Sequence, residues 1–140
     1  MIKDVLITPL TIIDVPGGNV LHAIKKTDDG YKGFGEAYFS QIKLNVIKAW
    51  KRHERMTLNI VVPIGKIRFV MFDDREVTNT QFQEIIISQS NYYRLTVPPK
   101  VWLGFQGLAH ESMLVNVASI EHDPLEVIKK NIEEIEFNWR

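Results

Sequence analysis

The sequence predicts an all-β protein closed as a jelly roll, and two observations carry that expectation. Short runs rich in valine, isoleucine, threonine and aromatic residues recur along the chain, separated by turn signals roughly every 8–12 residues. Only one stretch, Pro124 to Glu134, shows helical spacing. The 140 residues suffice to bury a core in a single domain spanning 1–140. About ten short strands with little helix suit a sandwich or barrel, and the jelly roll is the natural closure.

Val5 to Val15 carries Pro9, which donates no ladder hydrogen bond, so an edge strand or two short strands split at Pro9 are expected. Pro16-Gly17-Gly18 is a turn, Asn19 to Lys26 a short strand, and Thr27 to Gly30 a polar loop. Phe34 to Ile42 alternates, with Glu36, Tyr38 and Ser40 on one face and Ala37, Phe39 and Gln41 on the other. After a turn at Lys43–Asn45, Val46 to His53 is a strand with the densest polar chemistry in the chain: Lys48, Lys51, Arg52 and His53. Period-two alternation puts Lys51 and His53 on one face, with Trp50 and Arg52 opposite. Thr57–Val62 and Lys66–Phe72 are expected to pair as a hairpin turning at Ile64–Gly65. Asp73-Asp74-Arg75 ends it, and a polar loop runs over Glu76–Thr80. Phe82–Ser88, Arg94–Val97, Val101–Leu108 and Met113–Ser119 are further strands, the second stopped by Pro98-Pro99. In Ile85-Ile86-Ile87 both faces are apolar, as in a strand buried in the barrel or between subunits. Leu125, Ile128 and Ile132 suggest one short C-terminal helix with Asp123 as N-cap, before an extended tail, Glu136–Trp139.

Seventeen basic residues balance seventeen acidic ones. That speaks against nucleic-acid binding driven by phosphate neutralisation, leaves room for a local basic pocket, and is compatible with self-association. The absence of cysteine removes disulfides, thiolate metal sites and cysteine nucleophiles. The start Met1-Ile-Lys-Asp is neither a signal nor a transit peptide, and no apolar run approaches the ~20 residues of a membrane span. A cytoplasmic protein without a membrane partner is expected.

Across F-G-E-A-Y-F-S (34–40) and V-I-K-A-W-K-R-H (46–53) the chain resembles the dTDP-4-dehydrorhamnose 3,5-epimerases and their relatives. Further matches follow at V-P-I-G-K-I, D-D-R (73–75), L-T-V-P-P-K-V-W-L-G-F (95–105), H-D-P-L-E (122–126) and the tail E-I-E-F-N-W. The resemblance runs from about Gly18 to Trp139 and rests on the order and spacing of these motifs. It implies a double-stranded β-helix (cupin jelly roll), a homodimer, and a barrel pocket for a nucleotide-linked sugar. The implied activity is epimerisation or ketone isomerisation beside the ketone of a nucleotide-linked 4-keto-6-deoxyhexose, feeding cell-surface polysaccharide synthesis. No cofactor is implied, because the ketone already acidifies the neighbouring proton.

The departures from the family pattern are specific. The family's histidine base falls at Lys51, its enolate-holding lysine near Leu58, a further histidine at Leu103, and its tyrosine acid near Ile120 or Glu121. The 3,4-ketoisomerases carry H-x-H on this strand, and Lys51-Arg52-His53 keeps only the second histidine. Metal cupins need that first histidine, so no metal is expected. Lys51 and His53 are the proton-transfer candidates, with His122 a third, against the alternative of a polar rim with His53 exposed in the turn. A lysine in an apolar barrel is a base, or an electrophile beside a carbonyl. His122 either caps the helix region or faces the pocket. Glu36, Tyr38 and Ser40 match nucleotide or sugar contacts, and Lys48 matches an arginine on the diphosphate without its two-pronged fork. Asn59 and Asn116, on apolar strands, are pocket residues or structural ties. His22 and His110 read as surface residues, and Trp102 as core or dimer interface. A non-catalytic sugar or sugar-nucleotide binding protein of the same fold is the alternative function.

Overall fold

Pro63 and Gly65 decide how the chain is layered. The computed structural model describes residues 1–140. Strand β6 (Leu58–Ile64) ends on Pro63 and Ile64, and β7 (Lys66–Asp73) begins one residue later. Gly65 between them has φ 84°, and a Cβ there would lie 2.3 Å from Ser112 Oγ. Ser112 Oγ accepts from the Lys66 N–H at 3.0 Å and donates to the Lys66 carbonyl at 3.1 Å, pinning the corner. The expected hairpin is therefore corrected: β6 and β7 do not pair but lie in different sheets. Proline withholds a ladder donor and glycine permits the left-handed bend, so the chain crosses between layers here.

One sheet has the order β1-β9-β6-β11-β4, from β1 (Leu6–Pro9), β9 (Tyr93–Val97), β6, β11 (Glu111–Ala118) and β4 (Glu36–Lys43). The other runs β12-β5-β10-β7-β8, from β12 (Val127–Lys129), β5 (Ile47–His53), β10 (Trp102–Gly107), β7 and β8 (Gln81–Ser88). Every ladder in both is antiparallel. A two-stranded ribbon, β2 (Ile12–Ile13) with β3 (Val20–Leu21), is all that forms of the longer strand expected over Asn19–Lys26. Pro9 ends β1, which pairs only with β9 and so is an edge strand, as proline requires.

The core lies between the sheets. Leu58, Ile60, Val62, Leu95, Val97 and Leu114 on one sheet face Ile67, Phe69, Met71, Ile87 and Leu103 on the other. A second cluster covers the outer side of the β5–β10–β7 sheet: Trp50, Val70 and Trp102, closed by Ile135 and Trp139 from the C-terminal tail. Trp50 and Trp139 rings lie 5.4 Å apart. Trp102 is thus a core residue, 1 % exposed.

The expected helix over Pro124–Glu134 does not form, which is a second correction. A 3₁₀ turn (Pro124–Glu126), the three-residue β12 and another 3₁₀ turn (Ile132–Glu134) take its place. Its apolar spacing never meets a core: Leu125 is 92 % exposed, and Ile128 and Ile132 are 39 %. A helix of this length is marginal without packing. The open edge of β5 offers a ladder instead, with Val127↔His53 and Lys129↔Lys51 in register and Trp50 and Lys130 exchanging backbone hydrogen bonds. Asp123 does cap the first turn, accepting from the Leu125 N–H at 3.0 Å. No helix is long and apolar enough to cross a membrane.

Candidate active site

The strand with the densest polar chemistry is irregular, and the irregularity builds the site. Between β10 and β5, Leu103 pairs with Lys51 and Phe105 with Lys48, leaving Gly104 opposite both Ala49 and Trp50. This is a β-bulge. In a regular strand, residues three apart point to opposite faces. The bulge turns Ala49 and Trp50 together towards the outer aromatic cluster and returns Lys48 to the face of Lys51. Gly104 makes it possible, since a Cβ there would stand 2.8 Å from Ala49 Cβ and 3.1 Å from the Trp139 ring.

Register adds a third cation. Lys129 on β12 is the direct partner of Lys51, and all of Lys48, Lys51 and Lys129 line one cavity. None of the three has a carboxylate within ion-pair distance. Lys48 Nζ donates to the Gln41 carbonyl of β4 at 2.8 Å, bridging the two sheets. The Lys51 side chain remains exposed to the cavity; partial desolvation first, then repulsion from Lys129 and Lys48, holds its ammonium below the ordinary lysine range.

His53 settles between its two expected placements. Its side chain is 12 % exposed, so it is not a free turn residue, and its Nδ1 lies 2.5 Å from Glu126 Oε1. Glu126 is itself 3 % exposed. Its other oxygen accepts from the Arg55 and Met56 backbone N–H groups at 3.0 and 3.3 Å. Burial alone raises the carboxyl's pKa. The hydrogen bonds from His53 and the two backbone N–H groups, with the attraction of the ring whenever it is protonated, outweigh it, and the net shift is downwards. An ionised carboxylate only accepts, so His53 carries its proton on Nδ1 and keeps Nε2 free. Arg55 Nη2 to Asp123 Oδ2, at 2.8 Å, ties the start of the Glu126 turn to the end of β5.

The cavity measures about 1430 Å³. Lys48, Lys51 and His53 line it from one sheet, Glu36, Tyr38 and Ser40 from the other, with His122 exposed at its rim. Apolar side chains, among them Leu58, Ile60, Leu103 and Leu114, line much of the rest, and Lys129, Lys130, Glu133 and Glu134 of the C-terminal segment line one side. Seven of the nine residues singled out from the sequence thus share one space.

Asn59 and Asn116 do not line it, so of their two expected readings the pocket residue, and with it a substrate contact, gives way to the structural tie. Asn116 Oδ1 accepts from the Asn59 N–H at 3.0 Å, and Asn59 is further tied to Gly30 and Thr96. Both are buried ties between strands and loop, as buried amides demand. Asn116 still reaches the cavity at one remove, because its Nδ2 donates to the Tyr38 hydroxyl at 3.0 Å. His22 and His110 are exposed and outside this cavity. No three His, Asp or Glu side chains converge as a metal-ligand set.

Glu126 and Lys129 escaped the sequence reading. The signal for Glu126 was an acidic residue between Leu125 and Val127, since buried glutamates are rare unless paired. The signal for Lys129 was invisible without the β12–β5 register.

Neither a protein-family model nor a curated protein sequence matches the chain. Solved structures do. A dTDP-sugar isomerase from Desulfovibrio desulfuricans G20 is 32 % identical, with a TM-score of 0.92 over 98 % of this chain and 91 % of that one. A dTDP-4-dehydrorhamnose 3,5-epimerase from Elizabethkingia anophelis NUHP1 is 15 % identical, with a TM-score of 0.81 over 99 % of this chain and 82 % of that one. A sugar 3,4-ketoisomerase from Thermoanaerobacterium thermosaccharolyticum is also 15 % identical, with a TM-score of 0.78 over 96 % and 93 %. The latter two establish the all-β, cupin-like fold. The first, similar over nearly the full length of both chains, establishes the lineage: the chain belongs to the dTDP-sugar isomerase family.

Proposed function

We propose that the protein epimerises or isomerises a nucleotide-linked 4-keto-6-deoxyhexose at a carbon beside its ketone. The single observation that carries the reading is the His53–Glu126 pair opening onto the same cavity as an unpaired cationic face. Proton transfer beside a carbonyl needs a positioned base and stabilisation of the developing oxyanion. His53 Nε2 takes the proton, with Glu126 holding the ring and balancing the imidazolium. Lys51 lies at the carbonyl and His122 at the rim. Lys48 and Lys129 suit the diphosphate, while Glu36, Tyr38 and Ser40 on the facing wall suit the nucleoside or sugar hydroxyls. The two-copy assembly implied by the family resemblance finds support in the outer face of β4, where Phe39 is 70 % exposed. Light scattering that returns a monomer mass would remove that part.

The test is solvent exchange. A dTDP-4-keto-6-deoxyhexose incubated in deuterium oxide acquires enzyme-dependent deuterium at a carbon beside the ketone, and His53→Asn abolishes this. A second reading, a non-catalytic binding protein, draws on Lys51 and Ile120 or Glu121 standing where the family has its histidine base and tyrosine acid. Under it the ligand raises the melting temperature and no deuterium enters.

A further inference from the structure

We propose that Lys51 is a covalent catalyst, condensing through Nζ with the ketone of the substrate to form a protonated imine. The inference rests on the ketonic substrate class proposed above. Three placements carry it. The bulge and the β12 register set Lys51 between Lys48 and Lys129 on one face, with no carboxylate to hold its charge. Lys51 is exposed to the cavity, where Leu103 beside it and Leu58 and Ile60 offer no group that would stabilise its charge. A lysine that is partly desolvated at the cavity wall, open to an incoming ketone, and crowded by like charge is an amine nucleophile rather than a spectator cation. His53, two residues along on the same face and fixed by Glu126, supplies the proton transfers that imine chemistry needs.

The steps balance. The Lys51 amine adds to the ketone carbon, and the resulting carbinolamine takes a proton from solvent and loses water to leave a protonated C=N bond. That cation is a stronger electron sink than the ketone, so His53 removes the neighbouring C–H proton and the electron pair moves into an enamine. Solvent water delivers a proton to the other face of that carbon, His53 gives up its own to solvent, and the protonated imine is regenerated with inverted configuration. Water then adds, the C–N bond breaks, and ketone, free amine and the borrowed proton are released. No oxidant, reductant or co-reactant is consumed.

The same chemistry restricts the outcome. Were the ketone to migrate, an enaminol would take its proton at the carbon bonded to nitrogen. That leaves Lys51 attached as a secondary amine, which does not hydrolyse. The covalent route therefore serves epimerisation at a carbon beside the ketone and not ketone migration.

The experiment uses the full chain, a dTDP-4-keto-6-deoxyhexose and cyanoborohydride, which reduces iminium ions in preference to ketones. The expected result is a stable adduct on the peptide containing Lys51, lighter than protein plus substrate by one oxygen. In ¹⁸O water, wild-type protein also exchanges the ketone oxygen above the background rate, in step with deuterium uptake. Lys51→Arg gives neither adduct nor oxygen exchange. Deuterium uptake without adduct or enzyme-dependent oxygen exchange overturns the imine and leaves the proposed function standing. An adduct confined to Lys48 or Lys129 overturns the assignment to Lys51. Ligand binding with no deuterium uptake, no adduct and no oxygen exchange overturns the imine and the proposed function together.

Discussion

Replacing Glu126 with glutamine separates the two tasks that its carboxylate performs. Glu126 takes hydrogen bonds from His53 Nδ1 at 2.5 Å and from the Arg55 and Met56 N–H groups at 3.0 and 3.3 Å, all while 3 % exposed. Glutamine keeps one oxygen, and the two backbone donors claim it. Its NH₂ then faces His53, and two donors cannot share that contact. The ring must move its proton to Nε2, the nitrogen that proton abstraction requires to be free. Losing the charge-assisted contact costs about 1.5–3 kcal/mol of folding stability. The wrong tautomer lowers turnover far more, by a factor on the order of 10²–10⁴. Urea unfolding measures the first quantity, deuterium uptake by the still-folded variant the second, and ¹⁵N chemical shifts of His53 report the tautomer directly. Undiminished uptake with Nδ1 still protonated would refute the role given to the pair. The pH dependence follows with its sign. The Glu126 carboxyl titrates below its ordinary value of 4.5 in the fold, so its contribution is complete above that pH and is lost as pH falls through the folded value. Glu126→Gln should flatten that part of the acid-unfolding curve.

The remaining predictions concern the surroundings of that pair. Gly104→Ala forces a methyl against Ala49 Cβ and the Trp139 ring; thermal unfolding should show a loss of about 1–3 kcal/mol, and exchange activity should fall as the bulge shifts Lys48 and Lys51. Asn116→Leu leaves the Asn59 N–H without an acceptor and frees the Tyr38 hydroxyl, so about 1–3 kcal/mol of stability should be lost in urea and substrate KM should rise. Lys51→Met removes a charge the fold disfavours. The variant should melt above wild type at neutral pH, and the gap should narrow as pH rises through the depressed lysine value, where wild type sheds the same charge. A Lys51→Met protein that melts lower at neutral pH contradicts the crowding of that ammonium.

The strands were legible because their signals are local. Alternation along Phe34–Ile42 placed Glu36, Tyr38 and Ser40 on one face, and all three line the cavity. What the sequence hid depends on which segment pairs with which. Thr57–Phe72 reads as a hairpin because its turn residues are right, yet Pro63 and Gly65 send its halves to different sheets. Leu125, Ile128 and Ile132 repeat as in a helix, but no apolar surface meets them, and the edge of β5 captures the backbone instead. That capture carries Glu126 to His53 and Lys129 to Lys51, so half of the candidate site followed from one misread element. The Gly104 bulge is a property of two strands together, and period-two counting along β5 alone puts Lys48 on the wrong face.

The charge balance bears on what the cavity holds. The chain has no net charge, yet three lysines stand together on one wall with no carboxylate partner in the fold. Seventeen acidic residues were available to neutralise them. Like charges held on neighbouring strand positions repel, and no ion pair of the unliganded chain recovers that energy, although Glu36, Glu133 and Glu134 line the same cavity. A ligand recovers it only by bringing negative charge to the same wall. A neutral sugar leaves the repulsion in place and satisfies only the hydroxyl-binding side of the cavity. A diphosphate-linked sugar relieves it and directs the hexose past Lys48 towards Lys51 and His53. On this argument the free diphosphate nucleotide should already protect the protein from heat, and added salt should weaken that protection. A free 6-deoxyhexose, lacking the charge, should leave the melting temperature where it was. Equal protection by the two would place the recognition in the sugar and strip the lysine face of its binding role.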